Sequence, residues 1–188
     1  MMQEGAETNK RKASELRIAI SGKSGCGNTT VSSLVAEMLG LKLINFTFRN
    51  LAQEHGMSLE EVLRLAQEDE SWDREVDSRQ VALAQEYAGC VLGSRLAIWI
   101  FKDADIKVYL TARPETRVNR IFSREGGNRE EIARFTEMRD GQDRERYMKL
   151  YGIDNDIYDF ADLIIDTDEM NQGEIANIII NKANEIIR

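Results

Sequence analysis

Cysteine, proline and histidine are nearly absent from this chain of 188 residues, which has two cysteines, one proline and one histidine. Cys26 and Cys90 lie far apart and in no paired pattern, which excludes a disulfide framework and a cysteine-based metal site and makes the cytosol the expected compartment. His55 has no partner visible in the sequence, so a histidine-based triad or zinc centre is excluded. With a single proline and no repeat or low-complexity tract, nothing marks a linker between two large domains. Long apolar runs are missing as well. Residues 90–93 and 96–101 are far shorter than a bilayer span, and residues 1–15 are polar where a signal peptide needs an apolar centre. That opening segment reads as a disordered leader, followed by one domain over residues 16–188.

What the chain does contain is an ordinary globular composition, 42% hydrophobic and 31% charged. Asp and Glu number 33 against 25 Lys and Arg, a net charge of -8, which argues against a broad basic face for nucleic acid or an anionic membrane. An anionic ligand must then be small and locally bound. Residues 16–21 form a short apolar run that stops at Gly22, as a buried strand does, and a glycine-punctuated segment leads straight into residues 28–39, apolar at helical spacing. Gly40 ends that helix and residues 41–46 supply a second strand, which makes the opening a βαβ unit and predicts a parallel sheet covered by helices. Ser58 and Glu61 mark a helix start, and the charged stretch to Tyr87 is helical by composition and period. Residues 90–92, 106–110 and 163–165 read as three further strands, with a closing helix over about residues 173–187. The fold class expected is α/β with a five-stranded parallel sheet. Residues 113–159 are helical and rich in arginine, and the adjacent Gly126 and Gly127 suit a small hinged lid over about residues 113–146.

The strongest local signal is Gly22-Lys23-Ser24-Gly25-Cys26-Gly27-Asn28-Thr29, which fits G-x-x-x-x-G-K-[ST] at every fixed position except the lysine, where Asn28 stands. Glycines at this spacing let backbone N–H groups wrap a phosphate, the following helix N-terminus adds positive potential, and the next hydroxyl suits magnesium. This makes residues 22–30, including Thr30, the expected ATP-binding loop and Thr29 the expected Mg2+ ligand. Asn28 cannot supply the positive charge that usually bridges the β- and γ-phosphates; Lys23, one residue into the loop, is placed to compensate. Cys26 reads as a small filler within the loop.

Phosphoryl transfer also needs positive charge around donor and acceptor. Arg113, Arg117, Arg120 and Arg124 recur every three or four residues, and Arg139, Asp143 and Arg146 form a second set. Taken with further segments, the chain resembles the nucleoside monophosphate kinases, most closely the short cytidylate kinases of archaea. The resemblance runs through Phe48-Arg49-Asn50-Leu51-Ala52, Val76-Asp77-Ser78-Arg79-Gln80, Arg95-Leu96-Ala97, residues 104–112, residues 117–125, Arg146-Tyr147 with Tyr151-Gly152-Ile153-Asp154, and residues 162–167. Three positions depart from the family pattern: Ser94 and Ile98, where glycines are usual, and Asn28, where the family has lysine or threonine. The resemblance implies a P-loop fold and transfer of phosphate from ATP to CMP or dCMP with Mg2+. It implies that Arg49 and Arg95 hold the acceptor phosphate, that Arg139, Asp143 and Arg146 contact acceptor ribose and phosphate, and that Arg120 and Arg124 are lid arginines that close over the donor phosphates, where Lys23 of the loop would join them as a catalytic residue. The expected partners are small nucleotides, with no nucleic acid or membrane, for a monomer or weak homodimer. Two alternatives stand beside this reading: a kinase of another nucleotide or metabolite on the same fold, and a non-catalytic nucleotide-binding module, motivated by Asn28.

Overall fold

The computed structural model describes residues 12–187. Its strands are β1 (Arg17–Gly22), β2 (Lys42–Ile44), β3 (Cys90–Gly93), β4 (Ile106–Thr111) and β5 (Leu163–Asp166). They form one wholly parallel sheet in the order β2-β3-β1-β4-β5. Parallel neighbours require crossovers, and those helices bury both faces, which is why the strands read as short apolar runs. Alternation along each strand sorts the two cores. Ile18, Ile20, Val91, Val108 and Leu110 pack with residues of α1 (Asn28–Leu39) and α8 (Gln172–Ile187). On the opposite face, Ala19, Leu92 and Tyr109 pack with residues of α4 (Ser71–Glu86), α5 (Ala97–Ile100) and α7 (Arg129–Tyr151).

The five strands and the first and last helices agree with the sequence reading; the middle of the chain differs in detail. An extra helix, α2 (Phe48–His55), precedes α3 (Leu59–Glu68), and the expected long helix is cut before α4, where the Asp69 carboxylate accepts the Ser71 N–H at 2.8 Å. Thr47 and Asn50 cap α2 reciprocally, a capping box with an amide one methylene shorter than the usual Glu or Gln. A small apolar cluster of Phe46, Leu51, Ala52, Val62 and Val76 joins α2, α3 and α4 beside the sheet.

Two expected boundaries also move. Residues 1–11 of the predicted leader lie outside the described residues, but Ala13–Glu15 form a 3-10 turn. There Gly89 lets the chain pass so closely that a Cβ would sit 2.5 Å from the Ser14 carbonyl oxygen, so the ordered fold begins before residue 16. The expected lid comprises α6 (Pro114–Glu125), the Gly126-Gly127 link and part of α7, yet α7 runs beyond residue 146 and buries Tyr147 and Leu150. Its N-terminal end is tied as well, because Arg113 pairs with Asp168 at 2.6 Å.

The glycine loop after β1 is held from behind by α6. Gly25 has φ +86°, and a Cβ there would meet the Arg117 backbone oxygen at 2.9 Å, so both the conformation and the close approach require glycine. Arg117 is 5% exposed; its Nε donates to the Ser24 carbonyl at 2.6 Å and its terminal nitrogens donate to the Asp140 carboxylate at 2.7 and 3.0 Å. One side chain therefore fastens the loop to both arginine-bearing helices. Arg117→Met removes the cation and leaves a carboxylate and a carbonyl without their donors. It is expected to destabilise the fold by about 3 kcal/mol, read from denaturant melts, with Asp140→Asn costing less.

Candidate active site

A cleft of about 940 Å3 opens beyond the C-terminal ends of β1 and β3, where open parallel sheets place their ligands. Gly22 through Gly25 and Gly27 through Thr30 line it on the loop side. Gly27 is the N-cap of α1 and contributes no side-chain cap, so the first N–H groups of that helix are uncapped by any side chain at the floor of the cleft. Cys26 turns the other way, into the core, where burial raises its thiol pKa against the opposing influence of Arg117 and Arg120. It is the filler that the sequence suggests.

Asn28 lines the cleft, but its Oδ1 accepts a hydrogen bond from Ser32 Oγ at 3.1 Å, which ties the amide back along α1. Lys23 is also at the cleft, its Nζ 2.6 Å from Asp156. Thr29 is exposed and lines the cleft. Its hydroxyl suits a divalent ion carried on nucleotide phosphates; among the described residues no group of three or more His, Cys, Asp or Glu is placed to hold a metal independently.

The four arginines at helical spacing go to four different places. Arg113 reaches Asp168 and Glu169 away from the loop, and Arg117 is buried behind it. Arg120 lines the cleft while donating to the Gly25 carbonyl at 3.3 Å and to Thr167 Oγ1 at 2.9 Å. Arg124 lies at the mouth, exposed and paired with Glu125.

The opposite wall carries Arg95 and Arg139. Arg95 donates to Ser24 Oγ at 2.5 Å and pairs with the buried Asp143, which also holds Arg146 at 3.0 Å. Burial, with Arg139 and Arg146 nearby, pushes the Arg95 pKa down to about 10. Arg95 is thus a half-buried cation with Asp143 as its counter-ion and its guanidinium at the cleft. Arg139 is exposed and makes no hydrogen bond or ion pair to any described residue. Arg49, by contrast, sits exposed on α2 and does not line the cleft. Of the three departures from the family pattern, Ser94 and Asn28 line the cleft, whereas Ile98 points into the core. His55 does have a partner, Glu75 at 2.9 Å, far from any catalytic arrangement; the two approach from different helices, which the sequence does not reveal.

Beyond Arg95 the cleft continues into a cavity of about 240 Å3 with Phe46, Phe48 and Tyr147 in its walls and Asp73, Asp77 and Gln80 around them. Arg79, next to Gln80, turns outward to Glu54. Asp77 accepts a hydrogen bond from the Tyr151 hydroxyl at 2.7 Å, but burial, aided by Asp73, pushes its pKa up to about 6. A carboxyl whose folded pKa exceeds its unfolded value binds its proton more tightly when folded. Its contribution to stability is present below about pH 4 and lost as pH rises through about 6. Asp77→Asn, which keeps an acceptor for Tyr151, is therefore expected to be more stable than the parent at pH 8 by at most about 3 kcal/mol, with the difference vanishing toward pH 4 in thermal melts.

Residues 17–169 match the Cytidylate kinase-like family. The chain is 45% identical over 168 residues to "Cytidylate kinase 2" of Borreliella afzelii, covering 87% of this chain and 94% of that protein. It is 40% identical over 173 residues to a cytidylate kinase of Archaeoglobus fulgidus, covering 91% and 96%. In three dimensions it is similar to shikimate kinase from Bacteroides thetaiotaomicron, with TM-score 0.59 and 19% identity over 90% of this chain and 98% of the other, a likeness of fold. The chain therefore belongs to the cytidylate kinase-like family, phosphotransferases built on the P-loop fold.

Proposed function

We propose that this protein transfers the γ-phosphoryl group of ATP to CMP or dCMP, giving ADP and the nucleoside diphosphate. One observation carries the reading: the phosphate loop and the Arg95–Arg139 wall face each other across a single cleft that continues into an aromatic-walled cavity. The relatives named cytidylate kinase support the choice of acceptor.

In this scheme the uncapped N–H groups at the start of α1 hold the donor phosphates, while Arg95 and Arg139 hold the acceptor phosphate. Asp143 orients Arg95 and Arg146. Thr29 would hold Mg2+, which when bound neutralises charge on the donor phosphates. No general base is needed, because the acceptor is already an ionised phosphate; orientation and charge neutralisation carry the rate. Lys23 leaves Asp156 for the donor phosphates and supplies the charge that Asn28 lacks. Movement at the Gly126-Gly127 link and the first turns of α7 brings Arg124 over the donor beside Arg120, which already lines the cleft, and excludes water, and inward movement of α2 adds Arg49 to the acceptor phosphate. The reading carries with it a cytoplasmic location and action as a monomer or weak homodimer without a nucleic-acid partner; no described helix is long and apolar enough to cross a membrane.

Coupled ADP release across the nucleoside monophosphates tests the acceptor. CMP and dCMP are expected to turn over at least about tenfold better than AMP or GMP by kcat/KM. Turnover of AMP or shikimate with none of CMP would falsify the reading. ATP binding without transfer to any acceptor, with activity created by Asn28→Lys, would establish a non-catalytic module instead. Lys23→Ala is expected to lower kcat about 100-fold while the KM for CMP stays within about threefold, as measured by initial rates. Full turnover would remove Lys23 from the mechanism.

A further inference from the structure

Three buried polar atoms without a hydrogen-bond partner among the described residues, Gln80 Oε1, Ser94 Oγ and Arg146 Nε, belong to side chains that line the aromatic-walled cavity. Buried polar groups are ordinarily satisfied, so a cluster of unsatisfied ones around a cavity indicates where a ligand's polar edge goes. Gln80 is the most informative of the three. It is 7% exposed, and its Nε2 donates to the Phe46 carbonyl at 2.8 Å. Only the nitrogen end of the amide can face a carbonyl, so the planar group is fixed in orientation and its oxygen is left as a pure acceptor. Gln80 and Ser94 line both the cavity and the phosphate cleft, which places these two side chains between the Arg95–Arg139 wall and Phe46, Phe48 and Tyr147.

We infer that Gln80 Oε1 accepts a hydrogen bond from the exocyclic amine of the acceptor base, which makes Gln80 the residue that distinguishes an aminopyrimidine from its oxo counterpart. The inference rests on the acceptor site proposed above. The hydrogen-bonding edge of cytosine presents one donor, the 4-amino group, and two acceptors, N3 and O2. The three unsatisfied atoms comprise one acceptor, Gln80 Oε1, one donor, Arg146 Nε, and one hydroxyl able to donate, Ser94 Oγ. Uracil carries a carbonyl where cytosine carries the amine, so its O4 would face the Gln80 oxygen with two acceptors and no proton between them. A site built around a fixed hydrogen-bonding group rejects the analogue that lacks the partner more strongly than a purely apolar pocket does, because the buried group is then left unpaired. The Phe46 carbonyl is what sets the choice: it prevents the Gln80 amide from turning its nitrogen toward the base.

The test compares CMP, UMP and the monophosphate of the pyrimidin-2-one ribonucleoside, which is CMP without its 4-amino group, on the full-length protein. For the parent, kcat/KM is expected to fall at least about 30-fold from CMP to either of the others. Gln80→Met keeps side-chain length and removes the acceptor; it is expected to lower kcat/KM for CMP by about 10- to 100-fold and leave the analogue within about threefold, so that the preference largely disappears. A folded Gln80→Met protein, judged by its melt, that retains the parental preference overturns the inference. So does equal use of CMP and the analogue by the parent, a comparison that decides the matter even if the variant does not fold. Absence of CMP turnover by the parent overturns the acceptor assignment itself, whereas CMP turnover with an unchanged preference overturns the role of Gln80 alone.

Discussion

A loop that binds phosphate through its backbone must keep its N–H groups uncommitted, and everything else around it has to be held by other means. The Ser24 carbonyl, turned away from the cleft, is taken by the buried Arg117, and the Gly25 carbonyl by Arg120. Because Arg117 also grips Asp140, the position of the loop is coupled to α6 and α7 together. Thr167, just beyond β5, joins the same support by receiving Arg120 while its hydroxyl donates to the Thr111 carbonyl at 2.9 Å, with the Cys26 carbonyl 3.4 Å away. The loop is thus shaped by contacts on its far side, which leaves its near side available to an anion.

The charge distribution follows the same logic. The chain carries a net charge of -8, yet Arg95, Arg120, Arg124 and Arg139 meet in one cleft. Burial first and the neighbouring guanidinium groups second lower the pKa of Arg95, and several of these cations are steadied by carboxylates behind them. Asp143 pairs with both Arg95 and Arg146, Asp73 also pairs with Arg146, and Asp140 pairs with Arg117. Acidic residues that look like surplus in the composition therefore hold the basic ones in place. Lys23 and Arg139 differ in kind: the first is held by a half-exposed Asp156, the second by no described residue, and both can turn to a ligand at little cost.

Much of the fold was legible because its signals are local. Alternation and β-branched runs mark the five strands, helical spacing and Gly40 bound α1, and Ser58 with Glu61 marks the start of α3. The short α2 was not legible, since eight residues give little periodicity and its capping box uses Asn50. Helical spacing placed Arg113, Arg117, Arg120 and Arg124 along one helix; it carries no information about which neighbour each one meets. Family resemblance singled out Arg49, Arg95, Arg139, Asp143 and Arg146; the fold brings the last four together and leaves Arg49 exposed on α2, outside the cleft. Nothing local pointed to Asp140, 23 residues from its partner Arg117, or to Asp156 as the counter-ion of Lys23.

By itself, the sequence determined the order of strands and helices, the phosphate loop with its missing lysine, and the family, because backbone preference and hydrophobic period act over a few residues. Tertiary structure decided which cations serve the cleft and which serve the scaffold, since that depends on carboxylates and carbonyls brought in from distant segments. It also decided the orientation of Gln80. An amide in a helix can point either end at a neighbour, and the Phe46 carbonyl, 34 residues away, takes the nitrogen end and leaves the oxygen without a partner.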